Sequence, residues 1–180
     1  MEYKFLINPN KIFFKSNDPK ISIIIPIYNG EQYLKTALLS IQNQNFTDIE
    51  ILMIDDCSND DSVNLIKELM NKDPRIVLYQ NEENKGILFT KSKGILNAKG
   101  KYLMILEEYD IYVQIDAFSI LYEEVEKNNL DILGFASIES EFRIRRKHHC
   151  LFFGRRFFNA RRRRIFDTRR VSPASAPQIT

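Results

Sequence analysis

The chain has 180 residues, 44% hydrophobic and 28% charged, with a formal net charge of +2. Such a length gives one ordinary domain with a sizeable core, and no apolar run approaches the roughly 20 residues needed to span a bilayer. Two cysteines, Cys57 and Cys150, are too few for a disulfide framework and lack the companions of a zinc site. The N-terminal segment, residues 1–19, interleaves charged with apolar residues and does not read as a secretory signal, so the expected location is the cytosol or the cytosolic face of a membrane.

From residue 20 onward, strand and helix signals alternate. Ile21 to Asn29, ISIIIPIYN, is a β-branched run ending at a turn. In the next segment Leu34, Ala37, Leu38 and Ile41 stand at i, i+3, i+4 and i+7, which predicts an amphipathic helix with Asn29 as its cap. Ile49 to Asp56 is a second strand. It leads to a helix with Val63, Ile66, Leu69 and Met70 on one face and Asp60 and Asp61 near its positive end. Arg75 to Asn81 is a third strand, followed by a weaker helix with Gly94 in its interior and Leu88, Ile95 and Ala98 as its stripe. Lys101 to Glu108 is a fourth strand. The helix after it turns Phe118, Leu121, Tyr122 and Val125 inward, and Leu130 to Ala136 is a fifth strand. The strands are continuously apolar rather than alternating, the pattern of strands covered on both faces. This order predicts an α/β fold, a mostly parallel, doubly wound sheet with flanking helices whose strands end along one edge.

Composition breaks near Ser140. Residues 1–140 hold 13 of the 14 lysines, the single arginine Arg75 and 22 of the 24 acids, a net −8; residues 141–180 hold 11 of the 12 arginines and carry +10. The expected organisation is an incomplete domain at 20–140 followed by a basic tail at 141–180, disordered at least in its SPASAPQIT end. Folding rarely distinguishes lysine from arginine at exposed positions, so the exchange favours a change of coding text through a frame change or a misjudged exon. Alternatively, the tail is a basic arm for nucleic acid or an anionic membrane, its phenylalanines interleaved to stack or insert. An ordered extension of the fold finds no periodic pattern to support it.

Open α/β sheets bind ligands at the C-terminal strand ends, so the residues there carry the functional signal. They are Pro26, Ile27, Tyr28 and Asn29; Asp55, Asp56, Cys57, Ser58, Asn59 and Asp60; Asn84, Lys85 and Gly86; and Glu107, Glu108, Tyr109 and Asp110. No GxGxxG follows the first strand and no GxxxxGK[ST] occurs, so the dinucleotide and P-loop fingerprints are absent.

Four ordered motifs carry a resemblance: Pro26-Ile27-Tyr28-Asn29, Asp55-Asp56-Cys57-Ser58-Asn59-Asp60, Asn84-Lys85-Gly86 and Ala98-Lys99-Gly100-Lys101-Tyr102. Between about Lys20 and Ala136 the chain resembles the nucleotide-binding half of family 2 glycosyltransferases. The resemblance implies a Rossmann-like GT-A fold and transfer of a sugar from a nucleotide diphosphate sugar, expected to be uridine-linked, to an unknown saccharide, lipid or protein acceptor. It assigns Pro26, Ile27, Tyr28, Asn29, Asp55, Asp56, Ser58, Asn84 and Lys85 to the nucleotide sugar. A strand-end carboxylate, Asp55 or Asp56, would accept the imide N–H of uracil, and Tyr28 would cover the ring. For Ser58 and Asp60, helix capping is the competing role, and Gly86 and Gly100 read as backbone turns.

In the family the fourth strand ends in Asp-x-Asp or Asp-x-Asp-Asp, which holds Mn2+ or Mg2+ against the diphosphate. Here the first acid is Glu107, the second is Tyr109 and the third is Asp110, leaving Glu107 and Asp110 as candidate ligands of a hard cation. A phenol, with an ordinary pKa near 10, is a poor ligand for such an ion, so the site is expected to be degraded or rebuilt. Neighbours in an extended chain point oppositely, which argues against Glu108 as a substitute unless the backbone turns. No residue stands in a recognisable position for a catalytic base, since the acceptor half would follow the fifth strand. The alternatives to an active transferase are a non-catalytic nucleotide-sugar-binding remnant, a truncated non-functional product, or a basic-tailed module that binds nucleic acid or an anionic membrane.

Overall fold

In a computed structural model of the chain, residues 11–112, 114–136 and 149–154 are described. The elements run β1 (Ile21–Ile27), α1 (Glu31–Gln42), β2 (Ile49–Asp55), α2 (Ser62–Met70), β3 (Ile76–Gln80), α3 (Ile87–Asn97), β4 (Tyr102–Ile105), α4 (Ala117–Lys127), β5 (Ile132–Ala136) and β6 (His149–Gly154). They form one sheet in the order β3-β2-β1-β4-β6-β5. β1, β2, β3 and β4 are parallel, and β6 runs antiparallel between β4 and β5. The parallel α/β sheet read from the sequence is therefore the sheet of the protein.

Every residue of β1 and β2 is buried, because helices cover both faces. On one face Ile21, Ile23, Ile25 and Ile27 of β1, with Ile51 and Met53 of β2, meet Leu34, Leu38 and Ile41 of α1, Leu65 and Ile66 of α2 and Phe118 and Val125 of α4. On the other face Ile24, Leu52, Ile54 and Leu103 pack with Ala98 and Ile95 beneath α3. The inward stripes of α1 and α4 are those expected from their spacing. In α2, Leu65 is buried while Val63 is half-buried.

Of the stripe predicted for α3, Ile95 and Ala98 pack against the sheet and Leu88 does not. Leu88 is 78% exposed, and the buried row is Thr90, Gly94 and Ala98, spaced four residues apart on one side of the helix. Gly94 is the contact itself: a Cβ there would stand 2.4 Å from Ile24 Cγ2 and 3.3 Å from Ile54 Cγ1. The glycine that weakens the helix by propensity is what lets it lie against β1 and β2. Gly100 serves a second close approach, since a Cβ at that position would meet Ser22 N at 2.5 Å. Its N–H instead donates to Ser22 Oγ at 2.7 Å, beside the buried carboxylate of Glu50, which also accepts from Ser22 Oγ and Lys99 N. The Ala-x-Gly-x-Tyr motif thus closes the rim opposite the strand ends that carry the candidate site.

Arg75, the single arginine before Ser140, is buried there too. Its Nε and Nη2 donate to the two oxygens of Asp73 at 2.9 and 2.8 Å, and the guanidinium lies 4.1 Å from the Phe13 ring. This is a structural pair that anchors the segment before β1.

His149–Gly154 depart from the expectation of a disordered tail beginning at residue 141. They form β6, pairing Leu103 with Phe153 on one side and Gly134 with Leu151 on the other. The physical reason is that β4 and β5 each present an edge of unpaired backbone donors and acceptors, and a six-residue run satisfies both. So short a run carries too little periodicity to be read in the sequence. The rest of the basic tail lies outside the described residues. Among those described, no helix is long and apolar enough to cross a membrane.

Gly94→Ala tests the close packing of α3. Helix propensity alone favours alanine by about 1 kcal/mol, whereas overpacking a core contact costs about 1–3 kcal/mol. Chemical denaturation is expected to find the variant destabilised, while Leu96→Ala, at a site 73% exposed, stays within about 0.5 kcal/mol. A more stable Gly94→Ala protein would remove the close approach.

Candidate functional site

The chain leaves β1 for β2 and β3 on one side and returns to β4 on the other. The strand order therefore reverses at β1, and the crevice outside the carboxyl ends of β1 and β4 is where such sheets bind ligands. A cavity of about 160 Å3 opens there. Pro26, Ile27 and Tyr28 line it from the end of β1, Asp56 from the end of β2, Asn84, Gly86, Ile87 and Thr90 from the loop and helix after β3, and Glu108 from the turn after β4. Five of the residues assigned to the nucleotide sugar, Pro26, Ile27, Tyr28, Asp56 and Asn84, are thus brought together. Tyr28 is 46% exposed, a ring available at the cavity mouth.

Asp56 organises the wall it belongs to. Its Oδ1 accepts from Asn81 Nδ2 at 2.7 Å and Lys85 N at 2.8 Å, and its Oδ2 accepts from Gly86 N at 2.8 Å. Burial alone would raise its pKa, but the hydrogen bonds from Asn81, Lys85 and Gly86 outweigh it and hold the carboxyl below the ordinary range. Gly86 adopts φ 83°, a left-handed conformation that glycine takes without strain. Lys85 contributes its backbone here, while its ammonium pairs with Glu83 at the surface.

Asn29, Asp55 and Ser58 do not line the cavity. Asn29, expected as the cap of α1, has φ 55° and gives way to Gly30 in that position. It instead ties the first two rim loops together: its N–H donates to Ser58 Oγ at 3.0 Å and its Oδ1 accepts from Asn59 N at 2.8 Å. Asp60 completes the lacing, accepting from Glu31 N at the start of α1 and from Ser62 N at the start of α2. Asp60 is not itself the N-cap of either helix, a position held by Gly30 in α1 and Asp61 in α2, but its two oxygens take the first N–H of both. Asp55 is 1% exposed, and its Oδ2 accepts from Ser58 N at 3.3 Å. Its Oδ1 is the one buried side-chain oxygen without a partner among the described residues.

The turn after β4 places its two glutamates differently. Asp110 N donates to Glu107 O at 3.0 Å, and this turn sends Glu107 to an ion pair with Lys91 of α3 at 2.5 Å while Glu108 enters the cavity wall. The backbone does turn here, which is the condition under which Glu108 could face the cavity. Burial, followed by the nearby charges of Glu107 and Asp110, pushes the Glu108 pKa up. Tyr109 meets Tyr33 edge-on, with centroids 6.4 Å apart. Among the described residues no group of three His, Cys, Asp or Glu side chains is disposed to hold a metal ion, so the tip does not fit the cation that the resemblance implies. Thr90 was also missed; its side chain donates to Gly86 O at 3.0 Å within the wall.

Comparison with known proteins agrees with this geometry. The model of Glycosyl transferase family 2 matches residues 22–176, and the chain belongs to that family. The match runs through the arginine-rich segment, beyond the limit at which the motifs stop being legible. The GalNAc(5)-diNAcBac-PP-undecaprenol beta-1,3-glucosyltransferase of Campylobacter jejuni is 34% identical over 124 residues, covering 68% of this chain and 40% of that protein. S. aureus TarS 1-349, solved in complex with UDP, is similar with a TM-score of 0.65 and 25% identity, over 71% of this chain and 38% of its own. A mannosyltransferase from Pyrobaculum calidifontis, in complex with GDP-Man and Mn2+, shares the fold with a TM-score of 0.67 at 14% identity, over 84% of this chain and 50% of its own. The chain thus spans half or less of the length of each.

The Asp56 arrangement has a direct consequence for stability. Because its folded pKa lies below the ordinary value, its stabilisation is complete above the ordinary carboxylate range and is lost as pH falls through the lowered folded value. Asp56→Asn turns an amide N–H2 toward N–H donors and is expected to cost about 2 kcal/mol or more at pH 7. In urea denaturation the difference from wild type should shrink on acidification below about pH 4; a constant difference would show that the carboxylate charge is not what holds the loop.

Proposed function

We propose that the crevice at β1 and β4 holds the nucleoside diphosphate of a uridine-linked sugar donor, and that this chain is the donor-binding part of a glycosyltransferase. The observation that carries the reading is the gathering of Pro26, Ile27, Tyr28, Asp56 and Asn84 around one cavity at the switch point of the sheet. Its volume, about 160 Å3, is below the ~300–1,000 Å3 that encloses a whole small ligand. It suits a base, with the diphosphate and sugar lying along the open rim toward the turn after β4.

The chemistry of the wall supports a pyrimidine. A carboxylate offers about four acceptor positions, and the loop uses three on Asp56, two at Oδ1 and one at Oδ2. In this reading Oδ2, which takes one backbone bond from the loop, accepts the imide N–H of uracil, and the bonds from the loop keep the carboxyl rigid and ionised. Tyr28 stacks on the ring. Complexes of TarS with UDP and with UDP-GlcNAc, at 25% identity, lend support to the nucleotide. The acceptor, a saccharide, lipid or protein, binds beyond the donor.

A second reading, a nucleotide-sugar-binding module without transfer activity, is favoured by the turn after β4, where Glu107 is committed to Lys91 and tyrosine replaces the second acid. Release of labelled sugar from a uridine-linked donor separates the two.

Isothermal titration of the full chain with uridine diphosphate tests the donor site. Tyr28→Ala is expected to weaken binding about tenfold, since stacking on a base contributes ~1–3 kcal/mol. Absence of binding by the wild type, or equal affinity in both proteins, would overturn the assignment.

A further inference from the structure

Glu107, Glu108 and Tyr109, at the turn after β4, are each engaged in a way that disfavours a divalent cation. Glu107 and Lys91 form an ion pair at 2.5 Å, with side chains 23% and 26% exposed. A metal ion bound to Glu107 would have to displace that ammonium or sit beside it, at a cost that grows with partial burial. Glu108 is confined in a different way. Its Cγ lies 3.1 Å from where a Cβ on Gly30 would stand, so its stem is packed against the loop after β1. Tyr109 is turned edge-on to Tyr33 of α1. Of the family's three acid positions, the first is here an ion-paired glutamate, the second is the ring of Tyr109, and the third alone, Asp110, keeps the family's aspartate.

Lys91 is at the same time well placed. Lys91 and Glu107 do not line the cavity themselves, but each is next in the chain to a residue that does, Thr90 and Glu108, which puts the ion pair within a residue of the wall on the side of the turn after β4. We propose that this chain binds the diphosphate of its donor without a divalent cation, and that Lys91 supplies the positive charge, exchanging Glu107 for phosphate oxygens. Lysine is a compact point charge suited to phosphate, and its bond to an anionic oxygen is charge-assisted. Glu107 holds the ammonium in place before the donor arrives. The proposal rests on the donor-binding reading of the cavity.

The test is titration of the full chain with uridine diphosphate and, separately, with uridine, in EDTA and in Mn2+. Uridine diphosphate should bind with dissociation constants that agree within about twofold in the two buffers. Lys91→Ala should weaken uridine diphosphate about tenfold, the scale of one charge-assisted contact, and leave uridine unchanged; Lys91→Arg, which keeps the charge, should recover most of the loss. Tyr109→Asp, which returns a carboxylate to the turn, should make binding rise with Mn2+. If wild-type binding is strong in Mn2+ and lost in EDTA, the inference falls while the donor site stands. Equal loss of uridine and uridine diphosphate in Lys91→Ala would reduce Lys91 to a structural role and also overturn it. Failure of the wild type to bind either ligand in either buffer removes the donor site and the inference together.

Discussion

One carboxylate holds the site together. Asp56 ends the most buried part of the sheet and accepts hydrogen bonds from Asn81, Lys85 and Gly86, so the loop after β3 is folded back toward β2 and α3 begins beside β1. Asn84, Gly86, Ile87 and Thr90 reach the cavity only because that loop is closed. The acid is nearly inaccessible, at 4% exposure, and its hydrogen bonds offset the burial that would otherwise neutralise it. The loop thus takes most of the accepting capacity of the two Asp56 oxygens.

The remaining rim divides into a laced side and an adaptable side. Asn29, Ser58, Asp60 and Ser62 join the loops after β1 and β2 through side-chain bonds to backbone N–H groups, satisfying donors that two helix starts would otherwise leave open. These residues act by fixing Tyr28 and Asp56. On the other side, the turn after β4 carries the charge: Glu107 to Lys91, Glu108 in the wall, Asp110 closing the turn through its N–H.

The break in composition at Ser140 has a different meaning in the fold from the one it has in the sequence. Strand β6 comes from beyond the break, yet it sits between β4 and β5 and is the element that joins β5 to the sheet. The family match likewise continues to residue 176. A lysine-to-arginine exchange changes surface chemistry far more than backbone pairing, so composition is a poor guide to where a sheet ends.

The sequence by itself determined the parallel α/β architecture, the strand ends and the family, because continuous β-branched runs, helical spacing and the ordered motifs are local patterns. It also determined that Tyr28, Asp56 and Asn84 would stand on one rim, since parallel strands end along a common edge. Three things were decided only by the tertiary structure. Gly94 became the contact of α3 because the approach of a helix to a sheet depends on both partners. Asn29, Ser58 and Lys85 became scaffold because their bonds run to segments up to 30 residues away, a pairing no local pattern encodes. Glu108 rather than Glu107 lines the cavity because a backbone turn, closed by one N–H to C=O bond, decides which of two adjacent side chains faces it.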